Sequence, residues 1–108
     1  MLPDYFRDQL PDPIRKISDS RFMNESPDPY THLAEYSYPI FDTNGQPTRT
    51  SLGWTESRQP MAFGEGQEIC LAGVWVEVDS VGTSTEVHED DDREITFYDV
   101  VVRLPQEK

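Results

Sequence analysis

Few residues in this chain could do chemistry. Six carboxylates, Glu86, Glu89, Asp90, Asp91, Asp92 and Glu94, crowd around Arg93 in the run EVHEDDDREI. Carboxylate oxygens at close spacing are hard ligands of the kind Ca²⁺ and Mg²⁺ prefer. The run nevertheless lacks the turn glycine and the closing acidic residue of an EF-hand loop, so it reads as an acidic hairpin tip kept in water. His32 and His88 are the only histidines and Cys70 is the only cysteine, a set too small and too scattered to close a zinc site. His88 has Glu86 and Asp90 nearby, but surface histidines beside carboxylates are common and usually idle. Cys70 lies in the apolar run Ile69-Cys70-Leu71, where a cysteine usually behaves as a small buried hydrophobe. The Gly64-Glu65-Gly66 pair has neither a following helix nor a Lys-Ser/Thr, which makes it a turn and not a phosphate loop. No nucleophile elbow or paired-histidine metal motif is present. The expectation is a protein that is not an enzyme and has no catalytic residue, cofactor or metal.

Charge narrows the partners. The chain has 108 residues and a formal net charge of -12, which repels phosphate backbones, and no Lys/Arg cluster offsets it. Arg15, Lys16 and Arg21 come nearest, but Asp12 and Asp19 flank them. Direct nucleic-acid binding is therefore excluded at the level of expectation. Residues 67–108 hold 11 acids and 3 bases, giving -8, whereas residues 1–66 hold 10 acids and 6 bases, giving -4. The negative charge is concentrated in the second part of the chain. No apolar run approaches the roughly 20 residues of a membrane span. The first residues, MLPDYFRDQLPDP, lack the basic and apolar regions of a secretory leader. A single cysteine fits a reducing compartment. Synthesis in the cytoplasm is the expectation.

These residues need elements to position them. Hydrophobic residues make up 35% of the chain and there are 9 prolines, so long helices are disfavoured and extended or turn conformations should dominate. The aromatic share of 11% argues against disorder. Residues 1–35 contain Pro3, Pro11, Pro13, Pro27 and Pro29 and read as an extended arm. One short helix fits between Asp12 and Phe22, with Asp12 as N-cap and Pro13 at the first helical position. Residues 36–108 read as a β-rich core. Tyr36, Tyr38 and Ile40 alternate ahead of Asn44-Gly45, a favoured type I′ turn pair, and Thr48, Thr50, Leu52 and Trp54 form the return strand. Pro39 and Pro47 place these strands at an edge or beside a bulge. Val74, Val76 and Val78 alternate with Trp75 and Glu77 on a half-buried strand that follows the Ala72-Gly73 break. In EITFYDVVVRL the apolar parity changes between Phe97 and Val100, which predicts a bulge near Tyr98-Asp99 or else a strand buried on both faces. The fold class is mainly β: a small antiparallel β-sandwich or partly open barrel, with a long proline-rich N-terminal arm and at most one short helix.

The functional expectation is a structural or adaptor protein that docks on protein subunits of a larger assembly, copies of itself included. An aromatic, proline-rich arm unable to complete its own core should fold on a partner. Virus and bacteriophage accessory proteins, such as capsid cement and head-to-tail or baseplate adaptors, supply the architectural analogy, and incorporation into a virion would follow from it. Phe22, Tyr30, Tyr36, Tyr38, Trp54 and Trp75 are the candidate contact anchors, because aromatics dominate interface energetics. The alternative is a small acidic inhibitor whose carboxylates imitate nucleic acid and block a basic groove on an enzyme.

Overall fold

Tyr36, Tyr38 and Ile40 do share one face of a strand, and the rest of the molecule is arranged around that face. The computed structural model describes residues 4–105. In chain order the elements are α1 (Asp4–Arg7), α2 (Asp12–Ser20), β1 (Phe22–Asn24), β2 (His32–Phe41), β3 (Pro47–Ser57), β4 (Glu68–Leu71), β5 (Val74–Val87) and β6 (Glu94–Arg103). The six strands form one sheet in the order β1-β3-β2-β6-β5-β4. The sheet curls into a nearly closed barrel. Two of its pairings, β1 with β3 and β2 with β6, are parallel. The sheet is therefore mixed and not antiparallel throughout. Parallel neighbours need long crossovers, and the chain between β2 and β6 supplies one.

The N-terminal segment is not an extended arm. Leu10, Ile14 and Ile17 are 1%, 0% and 0% exposed and belong to the same cluster as Val76, Val78, Val100 and Val102. α2 packs against both β3 and β5, which spans the gap between the two edges of the sheet. Pro11 and Pro13 start this helix instead of preventing it. Pro11 is the N-cap, Asp12 is already helical, and a proline in the first turn gives up a donor that would be unpaired in any case. α1 is a second short helix, one more than the composition predicts, and Arg7 at its end pairs with Asp19 of α2 at 2.6 Å. Between the two helices, the side-chain amide of Gln9 accepts from Phe41 N–H at 2.7 Å and donates to Phe41 O at 2.9 Å. Gln9 thus takes the place of a neighbouring strand where β2 has run past β6. The boundary expected at residue 35 falls inside β2.

The β2–β3 hairpin forms where the alternation places it, but its turn differs from the expected type. Gly45 has φ 77 and Asn44 does not have a positive φ, so Asn44-Gly45 is not a type I′ pair. Asp42 N–H donates to Gln46 O, Gly45 N–H donates to Asp42 O, and Asp42 Oδ1 accepts from the N–H groups of Asn44 and Gln46. This is a three-residue loop closed by a left-handed glycine. Both conditions set by the prolines are met. Leu52 is the extra residue of a bulge where the β2–β3 register shifts between Tyr36 and Ser37, and Pro39 lies on the part of β2 that β6 does not reach.

The two-residue turn sits instead at Ala72-Gly73, with φ 50 and 81. Alanine in the left-handed region costs roughly 1 kcal/mol that asparagine largely avoids. Ala72→Asn is expected to raise the free energy of unfolding by about 0.5 to 1 kcal/mol in urea denaturation.

β6 is continuous through Tyr98-Asp99, contrary to the bulge expected there. The register shift lies on its neighbour, between Val78 and Ser80 of β5, where Asp79 is the extra residue. Arg103 holds this bulge by donating to Glu77 at 3.1 Å and Asp79 at 2.9 Å. Val100 and Val102 face the core, and Val101 on the opposite face is also buried. The parity change in the sequence therefore reflects burial on both sides of the strand. Arg49 on β3 reaches across β2 to Asp99 on β6, at 2.7 Å, and crosses the sheet near the small, buried Ser37.

Candidate interaction surface

The aromatic candidates do not form one surface. Tyr36 is buried, Phe22 meets its ring edge-on at 5.9 Å, and Tyr38 packs against the same core cluster. Burial holds the Tyr36 phenol above its ordinary pKa, partly offset by its hydrogen bond to Thr55 Oγ1. Tyr30 lies beneath the guanidinium of Arg93, 5.2 Å from ring centre to charge. Trp54 is half-buried beside the exposed Met23, and both border an open groove of about 610 Å³ between the helices and β1–β3. Trp75 is exposed on the outer face of the β4–β5 hairpin, directly opposite Cys70. Cys70 is itself exposed, because odd and even positions of β4 point to opposite faces and its neighbours Ile69 and Leu71 take the inner one.

The acidic candidates do come together. Glu86 is the penultimate residue of β5, Glu94 opens β6, and Glu89, Asp90, Asp91 and Asp92 lie in the connection between them. Asp92 N–H donates to His88 O and His88 N–H donates to Arg93 O, which closes the turn, and Asp92 takes φ 54. Asp91 organises the tip, with His88 Nδ1 3.3 Å and Arg93 Nε 3.8 Å from its oxygens. The other five carboxylates have no ion-pair partner among the described residues. They stay exposed, and Glu86, Glu89 and Asp90 border a cleft of about 370 Å³ together with Tyr30, His88 and Phe97. Among the described residues no group of three or more His, Cys, Asp or Glu side chains is placed to hold a metal ion. Six of the seven arginines are paired with carboxylates, so little positive potential remains to offset the tip.

Sequence reasoning missed the surface next to this tip. β4 pairs only with Val74–Glu77 of β5, and the chain leading into β4 pairs only with Val78. From Ser80 to Val87 every residue of β5 is exposed. The direction of its backbone groups follows from two observations. Thr96 N–H donates to Thr31 O at 2.8 Å, so Thr96 turns toward β2, and by alternation Ile95, Phe97, Asp99 and Val101 turn toward β5. Their partners Ser80, Gly82, Ser84 and Glu86 close the ladder with β6. Val81, Thr83, Thr85 and Val87 therefore point their N–H and C=O groups away from the sheet, and no described residue hydrogen-bonds to them there. Natural edges are usually blunted by charged residues, proline or a bulge; Ser80–Val87 contains no lysine and no proline, its one charge is Glu86, and the Asp79 bulge lies just before it. The signal is the stretch SVGTSTEV, rich in β-branched residues, but its edge status depends on how short β4 is.

The chain matches no protein-family model, no curated protein and no solved structure. No described helix is long and apolar enough to cross a membrane.

Proposed function

We propose that this is a non-enzymatic structural or adaptor protein that docks on protein subunits of a larger assembly by accepting a strand on the free edge of β5. The observation that carries this reading is the row Val81, Thr83, Thr85 and Val87, whose backbone donors and acceptors are directed outward from an exposed strand. The reading no longer draws on an extended arm, since Leu10, Ile14 and Ile17 serve the molecule's own core. What the β5–β6 ladder supplies is an already paired strand as template, so a docking segment bears most of the ordering cost itself. The test is a photo-reactive side chain at position 81, compared with one at position 44, in the chain expressed in its native cells. Adducts to a protein subunit are expected from position 81 alone and should disappear when Thr83→Pro removes an outward N–H.

A second reading is favoured by the arginine pairing, which leaves the tip carboxylates to dominate the field: a small acidic inhibitor that occupies a basic groove on a nucleic-acid enzyme. A mimic of nucleic acid needs carboxylates spaced along a track, whereas here they gather at one end of a hairpin. Adducts formed only from position 89, and to a nucleic-acid enzyme, would replace the docking reading with this one.

A further inference from the structure

Resting on the docking reading, we propose that the occupant of the β5 edge is an extended partner segment that adds antiparallel to Ser80–Val87 and carries Lys or Arg at its N-terminal end. Three features fix this chemistry. The outward groups of Val81, Thr83, Thr85 and Val87 set the ladder, and the side chains of these residues share the face on which Tyr98 and Phe63 pack. Residues of the added strand opposite them project to that same face, so alternate positions should be β-branched or apolar. Antiparallel pairing gives the straighter hydrogen bonds, and it sets the N-terminal end of the newcomer beside Val87 and the tip.

The charge then selects the residues at that end. Glu86, Glu89, Asp90, Asp92 and Glu94 lack ion-pair partners among the described residues, and three of them border the 370 Å³ cleft with Tyr30 and Phe97. Carboxylates suit an ammonium or guanidinium group, and the neighbouring aromatic side chains give its apolar stem something to pack against. A second copy of this chain fits the charge less well, because each copy carries -12 and its own edge residues Ser80–Val87 include one charge, Glu86, of the wrong sign.

The experiment is calorimetric titration of the full chain with three synthetic probe peptides, KRSVTVTV, SVTVTVKR and EESVTVTV. KRSVTVTV is expected to bind with a Kd on the order of 10 to 100 µM at low salt and at least about tenfold more tightly than SVTVTVKR, with EESVTVTV weakest. Raising the salt should weaken KRSVTVTV most. Thr83→Pro and, separately, Val81→Lys should each abolish binding, and the paired change Glu89→Gln with Asp90→Asn should remove the preference for basic residues at the N-terminal end. Two variants with unrelated structural effects guard against loss of fold in either one. Equal binding of KRSVTVTV and SVTVTVKR, binding unaffected by both edge variants, or no binding of any probe would overturn the proposal. A concentration-dependent dimer in sedimentation that Thr83→Pro dissolves would also overturn it, by assigning the edge to a second copy. None of these outcomes touches the docking reading itself, which stands or falls on the adducts from position 81.

Discussion

Ile17→Ala is expected to lower the free energy of unfolding by about 3 to 4 kcal/mol, a large part of the total stability of a domain this size. Ile17 is fully buried, and it lies where α2 spans the gap between β3 and β5. Removing its outer carbons deletes apolar surface that water does not reach and leaves a cavity that helix and sheet must both collapse to fill, and the two penalties add. The control is Val87→Ala on the exposed end of β5, expected to change stability by less than about 0.5 kcal/mol. Urea denaturation followed by tryptophan fluorescence measures both. The result separates two accounts of residues 4–24. A segment that folds only on a partner would show little loss of stability in the isolated chain when Ile17 is truncated. A segment that closes its own barrel shows the full loss. A change in Ile17→Ala no larger than in Val87→Ala would return the N-terminal segment to the status of an arm.

How far the sequence reveals this architecture can be judged at particular residues. The alternations at Tyr36-Tyr38-Ile40 and Val74-Val76-Val78 locate strands correctly because each strand has one face on the core and, the small Ser37 apart, a more exposed opposite face. Ile14 and Ile17, with Pro13 near the first turn, locate α2, but the other prolines of residues 1–35 suggest an open chain around it. Proline stops a helix in its interior and starts one in its first turn, and only the position of the helix decides which applies. The Val100-Val101-Val102 run is ambiguous for a similar reason. A strand buried on both faces loses the period-two signal, so a register change and a two-sided burial look alike. Parallel pairing of β2 with β6 leaves no local trace, because it joins residues about sixty positions apart. The acidic tip is legible because charge needs no fold to be counted. The free edge beside it is not, because an edge is defined by the strand that fails to cover it.

Gly53→Ala is expected to cost about 3 kcal/mol and to release β1 from the sheet. Gly53 has φ 145, a conformation that residues with a Cβ rarely adopt, and strain of this kind costs on the order of 1 to 3 kcal/mol. A Cβ there would collide with the carbonyl oxygen of Phe22, its direct partner across the β1–β3 ladder. Backbone is the nearest obstacle, so no side-chain rotation relieves the clash and β1 must move. Phe22 would leave its contact with Tyr36, and Met23 would leave its place opposite Trp54. Hydrogen exchange should show loss of protection confined to residues 22–24 and 53–55, together with a change in the emission of Trp54, while Ser80, Gly82, Ser84 and Glu86 keep their protection against β6. That contrast ties the variant to function: β1 covers the β3 edge at Gly53–Thr55 only because of one glycine, whereas the β5 edge is open without any substitution. Binding of KRSVTVTV should therefore survive Gly53→Ala at temperatures where the barrel stays folded. Loss of that binding in a folded Gly53→Ala chain would move the docking site to the groove bordered by Phe22, Met23 and Trp54.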